Sequence, residues 1–104
     1  IYRQLAAQRP DAFLPDLAGS LNNLGIRLDA LGRREEALDT NRESVRLTMP
    51  FFQSLPQAFL RDLQLRLSSY IERLNKNGID LETDEVALEA QQALESSGIL
   101  SSSA

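Results

Sequence analysis

The apolar residues of this chain recur at steps of three and four, which is the spacing of helices with one buried face and not the alternation of strands. The clearest run is Leu14, Leu17, Leu21, Leu24, Leu28 and Leu31, a single leucine stripe that predicts the strongest helix of the sequence. Its start is expected at Pro10-Asp11, with Asp11 capping the free amides and Pro15 confined to the first turn. Its end is expected at Gly32, a residue suited to a left-handed C-cap. A second helix is predicted from about Arg33, with Ala37, Leu38, Asn41, Val45 and Thr48 inward and Glu35 and Glu36 placed to favour the helix dipole. The tight turn between them makes an antiparallel pair, and Pro50 is expected to end or kink the second member. Ser54-Leu55-Pro56-Gln57 has the spacing of a capping box and introduces a third helix near Pro56. That helix carries Phe59, Leu60, Leu63, Leu67, Tyr70, Ile71 and Leu74 and breaks at Asn75-Lys76-Asn77-Gly78. A last helix is predicted with Thr83 as N-cap and Val86, Ala87, Leu88, Ala90 and Leu94 inside, followed by a Ser-rich end expected to fray. The fold class is all-α.

Sliding the chain against itself by 46 residues exposes an internal repeat. Pro10, Ala12, Phe13, Leu14, Asp16, Leu17, Leu21, Arg27, Leu28 and Gly32 each meet an identical residue, from Pro56 through Gly78. Beyond the glycine the second copy needs an insertion around Ile79 to Glu82 before Glu85, Ala87 and Leu88 fall opposite Glu35, Ala37 and Leu38. The chain is thus one good repeat and one worn repeat.

Leu17-Ala18-Gly19-Ser20-Leu21-Asn22-Asn23-Leu24-Gly25, then Leu28, Leu31-Gly32-Arg33 and Glu35-Glu36-Ala37-Leu38, resembles a tetratricopeptide repeat, and is similar in particular to the kinesin-light-chain-like subtype common in large bacterial proteins. The resemblance implies antiparallel helix pairs stacked as a short right-handed α-solenoid. It divides the chain into the end of a preceding repeat helix (1–9), a helix pair (10–50), a degenerate or capping pair (51–98) and a flexible tail (99–104). Gly25 and Ala37 would be small where the paired helices cross, whereas Ile71 replaces Gly25 in the worn copy and Leu94 stands opposite Ser44. The chain opens on Ile1 and not Met, as a segment of a longer protein would.

Composition narrows the function. With no Cys and no His there is no disulfide, no thiolate or imidazole metal ligand and no Ser-His-Asp or Cys-His nucleophile among these residues. A formal charge of −4, with Arg and Asp/Glu interspersed, argues against a nucleic-acid surface, which needs clustered cations. No apolar run approaches the roughly 20 residues that span a bilayer, and Ile1-Tyr2-Arg3-Gln4 carries no signal-peptide pattern. A cytoplasmic protein without membrane contact is expected. The acidic loop from Asn75 to Asp84 fails as a calcium loop, because setting Gly78 at the sixth position puts Arg73 where the first carboxylate belongs. Arg33, Arg34, Arg42 and Arg46 face Glu35, Glu36, Asp39 and Glu43 at helical spacing, the pattern of a solvated face. Phe51, Phe52, Leu55 and Phe59 form an apolar cluster between the repeats.

No catalytic residue, cofactor or metal is expected. The function expected from the resemblance is a scaffold whose concave face binds a peptide or a neighbouring protein domain, including another domain of its own chain. The residues it assigns to that face are Asn22, Asn23, Ile26 and Asp29 in the good repeat and Ser69, Glu72 and Lys76, with Ser68 and Asn75, in the worn one. An amide suits such work because it donates and accepts at once. The inward basic residues that would clamp a terminal carboxylate are missing at Ile26 and Ala30. The alternative is a capping or homo-oligomerisation module of a larger helical-repeat protein, since two repeats are fewer than the three or so needed for independent stability.

Overall fold

The computed structural model describes residues 10–97, so the expected end of a preceding helix at 1–9 and the expected tail lie outside the described residues. Among the described residues four α-helices follow one another: α1 (Pro10–Ala30), α2 (Arg34–Ser54), α3 (Pro56–Lys76) and α4 (Glu85–Ser96), with a 3₁₀ turn at Leu81–Thr83. Among the described residues no helix is long and apolar enough to cross a membrane.

The contacts fix the helix directions. Asn41 reaches Asn22 and Ser44 reaches Ala18, so α2 runs antiparallel to α1. Arg42 reaches Tyr70 and Thr48 reaches Arg66, so α3 runs antiparallel to α2. Helix α1 also touches α3, and α2 touches α4. The short dimension of the molecule, 19 Å, is about two helix diameters.

The internal repeat is mirrored in the backbone. Gly32 and Gly78 have φ of 82° and 70°, the left-handed region that glycine enters without a Cβ penalty. Each closes the same hydrogen-bond pair: Arg33 N–H to Leu28 O and Gly32 N–H to Asp29 O in the first copy, Ile79 N–H to Leu74 O and Gly78 N–H to Asn75 O in the second. This is the Schellman arrangement, which satisfies the last carbonyls of a helix.

Other helix ends differ from expectation. Asp11 already lies within α1, and Pro15 sits beyond its first turn. Helix α2 continues through the exposed Pro50 to Ser54. One missing N–H removes one backbone bond, and the next turn is held by Phe52, which is buried, and by Leu55 N–H to Phe51 O at 2.8 Å. The capping box at Ser54 does not form, because Ser54 ends α2 and Leu55 is the junction residue with no side-chain cap. The N-cap of α4 is Asp84, whose carboxylate accepts from Ala87 N–H; Thr83 belongs to the preceding turn.

The contiguous core consists of Leu38, Val45, Phe52, Leu63, Leu67, Tyr70, Leu74, Val86, Ala87, Ala90 and Leu94. No described residue of α1 belongs to it. The helix with the strongest leucine stripe contributes least to the core, because α1 meets its neighbours through another arc, Ala18, Asn22, Gly25 and Leu28, all buried. The aromatic cluster forms in part: Phe51 and Phe59 pack with ring centroids 5.5 Å apart, Phe52 is core, and Leu55 is exposed.

Candidate functional site

The nine residues assigned to a binding face separate into two groups. Asn23, Ile26, Ser68, Glu72, Asn75 and Lys76 are exposed. Asn22, Ser69 and the Asp29 side chain are buried.

Asn22 is only 4% exposed, and it accepts from Asn41 Nδ2 through its side-chain oxygen at 3.2 Å and its backbone carbonyl at 3.3 Å. It joins α1 to α2 and is not a ligand-facing amide. Ser69 is buried on α3. Asn22 is buried because α1 meets two neighbours, so the arc taken by α2 and α3 together is wider than the leucine stripe suggests.

Asp29 bridges the first helices of the two repeats. Its Oδ2 lies 2.6 Å from Lys76 Nζ and 3.7 Å from Arg73 Nη2. The Lys76 hydrogen bond, with the Arg73 charge beside it, holds the Asp29 carboxyl below its usual value against the opposing effect of burial. Arg73 Nη2 also lies 2.8 Å from Glu72 Oε2, while Arg73 Nε and Nη1 are buried without a hydrogen-bond partner. Arg73 is 2% exposed. It is the repeat partner of Arg27, which is exposed, so repeat identity alone could not reveal its burial.

The bridge sets α1 and α3 side by side and parallel, with the Gly19 position against Arg66 lower down. On α1, Asn23, Ile26 and Ala30 lie at i, i+3 and i+7; on α3, Leu65, Ser68, Glu72 and Lys76 lie at i, i+3, i+7 and i+11, and all seven are exposed. These two rows combine four polar residues with three apolar ones, Ile26, Ala30 and Leu65, on neighbouring helices. Leu65 is 61% exposed. Sequence reasoning missed it because one more leucine in a leucine-rich helix carries no signal beyond its position outside the inner stripe.

Two further polar chains tie the helices together. Ser44 Oγ donates to Ala18 O at 2.6 Å, Thr48 Oγ1 donates to Ser44 O at 2.8 Å, and Arg66 Nη1 donates to Thr48 Oγ1 at 2.9 Å, a path across α2 from α1 to α3. Arg42 Nε donates to Tyr70 Oη at 2.8 Å, and Tyr70 Oη donates to Asp84 Oδ2 at 2.7 Å. Arg42 thus departs from the solvated face expected for it. It lies 5.7 Å from the Tyr70 ring centroid and 3.7 Å from Asp84 Oδ1, so it is part of the packing between α2, α3 and the start of α4. The neighbouring Arg33–Glu36 pair does lie on an exposed face. Burial, aided by the Asp84 hydrogen bond and opposed by Arg42, pushes the Tyr70 hydroxyl up to about 12.

No protein-family model, curated protein or solved structure matches the chain. Among the described residues no group of three or more His, Cys, Asp or Glu is placed to hold a metal ion. A cleft of about 460 Å³ lies between the end of α2, the start of α3 and α4, lined in part by Met49, Phe52, Gln53, Pro56 and Ala93. A second, of about 470 Å³, lies beside Leu55 and Ala58. None of the residues assigned to the binding face lines either cleft.

Proposed function

We propose that the chain is a non-catalytic protein-interaction module of tetratricopeptide type, two helix pairs of a right-handed α-solenoid in a cytoplasmic bacterial protein. Its α1–α3 face binds an extended peptide or a neighbouring protein domain. The observation that carries the reading is the exposed double row of Asn23, Ile26 and Ala30 beside Leu65, Ser68, Glu72 and Lys76, on parallel helices. Peptide amides can pair with Asn23 and Ser68, apolar side chains can rest on Ile26 and Leu65, and Glu72 and Lys76 supply charge of both signs at the rim. The 46-residue repeat with its matched C-caps supports the tetratricopeptide assignment. So does the close approach of α2 to α1 at Gly25, with Ala37 buried nearby in α2.

A second reading, that the module caps or dimerises a helical array, draws on α4. Its residues Glu89, Gln92 and Glu95 are exposed and polar, as the last helix of a stack requires for solubility.

The test is selection of peptides from a random displayed library on the full chain, followed by binding to Leu65→Glu, Ile26→Glu and Asn23→Ala chains. Binding reduced by all three, with helical content intact, is the expected result. Peptides that ignore all three changes would overturn the assignment of the face.

A further inference from the structure

Of the asparagines in the chain, Asn22, Asn23, Asn41, Asn75 and Asn77, Asn77 alone is followed by glycine. The pair stands at the end of α3, where Gly78 is exposed and takes the left-handed turn. An asparagine before glycine is open to attack on its side-chain amide by the next backbone nitrogen, because no Cβ crowds that nitrogen. Beyond the chain neighbours, no heavy atom lies within 4 Å of where a Gly78 Cβ would stand, so no packed helix shields this side of the turn. The equivalent residue of the first repeat is Leu31, before Gly32, which closes the same turn with no amide to lose.

The closed turn holds this reaction off. Asn77 has ψ of 4°, which eclipses Gly78 N with the Asn77 backbone nitrogen and turns it away from Cβ. Ring closure onto the side chain needs that nitrogen on the Cβ side, so the Cα–C bond of Asn77 must first rotate. Both reacting groups are also occupied. Asn77 Nδ2 donates to Arg73 O at 2.8 Å and to Arg34 O at 3.3 Å, and Gly78 N–H donates to Asn75 O at 3.1 Å.

We propose that Asn77 is a site of spontaneous deamidation gated by this turn, so that conversion proceeds when the end of α3 opens and leaves a permanent mark of the opening. Helix ends open locally far more often than a whole chain unfolds. In the open turn Gly78 N attacks Asn77 Cγ. The new N–C bond forms, the Cγ–Nδ2 bond breaks, and ammonia leaves with the proton that Gly78 N gives up. Water then opens the cyclic imide at one of its two carbonyls, giving aspartate or isoaspartate. Neither product rebuilds the turn. Aspartate has no N–H for Arg34 O or Arg73 O, and it sets a negative charge at a helix C-terminus, where the dipole opposes it. Isoaspartate routes the main chain through Cβ, which shifts Gly78 and Ile79 N–H out of register with Asn75 O and Leu74 O. Because Arg34 opens α2, the lost Asn77 bond is also a tie between the turns of the two repeats. The inference rests on this turn alone and on no bound ligand.

The test is incubation of the full chain at mildly alkaline pH, folded and in denaturing guanidinium chloride, with the products located by peptide mapping and an isoaspartate assay. Conversion at Asn77, with isoaspartate among the products, is expected in both, and slower in the folded chain by about ten-fold or more. An Asn77→Gln chain, which would have to close a larger ring, should stay unchanged over the same time in either condition. The converted chain, separated by its added negative charge, should melt below the parent. Equal rates in the folded and denatured chain would overturn the gating. Conversion of Asn23 or Asn75 ahead of Asn77, or none at Asn77 even in denaturant, would overturn the site, and a converted chain that melts with the parent would overturn its effect on the turn.

Discussion

A Cβ on Gly25 would stand 2.1 Å from Asn41 Oδ1, closer than any two such atoms can approach. Asn41 is fully buried and is held by its two bonds to Asn22. The amide therefore cannot step aside without losing them.

Gly25→Ala is accordingly expected to destabilise the chain, although alanine is the better helix former by about 1 kcal/mol. Overpacking of a tight contact costs about 1–3 kcal/mol, and displacement of Asn41 adds a buried unmet amide of about 1–3 kcal/mol. A net loss of about 2 kcal/mol in urea unfolding is the expected outcome. A gain in stability would mean that α2 can retreat from α1 freely. Gly19→Ala, whose Cβ would meet the Arg66 guanidinium at 3.2 Å, should cost less, because a small shift at the far end of a flexible side chain relieves that contact.

Thr48 and Arg66 should behave as a unit. Thr48→Val removes the acceptor of Arg66 Nη1, leaving a buried donor unpaired at a cost of about 1–3 kcal/mol. Replacing both, as Thr48→Val with Arg66→Met, removes donor and acceptor together and should restore most of that loss. Chemical denaturation of the two single variants and the double variant reads the coupling directly, and strictly additive losses would count against it.

Tyr70 makes stability fall at high pH. Its hydroxyl titrates at about 12 in the folded chain against 10.0 ordinarily, so between those values the folded state holds a proton that the unfolded state has released. Stability is fully present below pH 10 and declines as pH rises toward 12. In a Tyr2→Phe chain, tyrosinate absorbance should appear well above the ordinary range. Tyr70→Phe should lose stability at neutral pH by about 1–2 kcal/mol but show a shallower alkaline decline than the parent. Ordinary titration of Tyr70 would refute its burial against Asp84.

Asp29 acts at the other end of the pH scale. Its carboxyl titrates below 3.8 when folded, so the unfolded chain binds more protons in that window and stability rises with pH through it. The stabilising effect is complete above 3.8 and is lost as pH falls through the lower folded value. Thermal melts of Asp29→Asn against the parent should differ at neutral pH and converge in acid. The difference should also shrink with added salt, because the Lys76 partner is exposed.

Helix number, both glycine-terminated helix ends, the start of α3 and the inner residues of α2 and α4 follow from local spacing, because capping chemistry and helical period act within a few residues. The repeat is legible in the same way, and its two copies close with the same bonds. What depends on neighbours is not. Asn22 and Asn23 are adjacent amides, and only the position of Asn41 on another helix decides that the first is buried and the second exposed. Arg27 and Arg73 are repeat equivalents with opposite burial, and Arg42 leaves the surface because Tyr70 and Asp84 converge on it. Pro50 could not stop α2, since the packing of Phe52 outweighs one lost backbone bond. Local pattern specifies which residues a helix can bury. Which of them it does bury depends on the helices that arrive beside it, and on α1 one flank of leucines still faces no described helix.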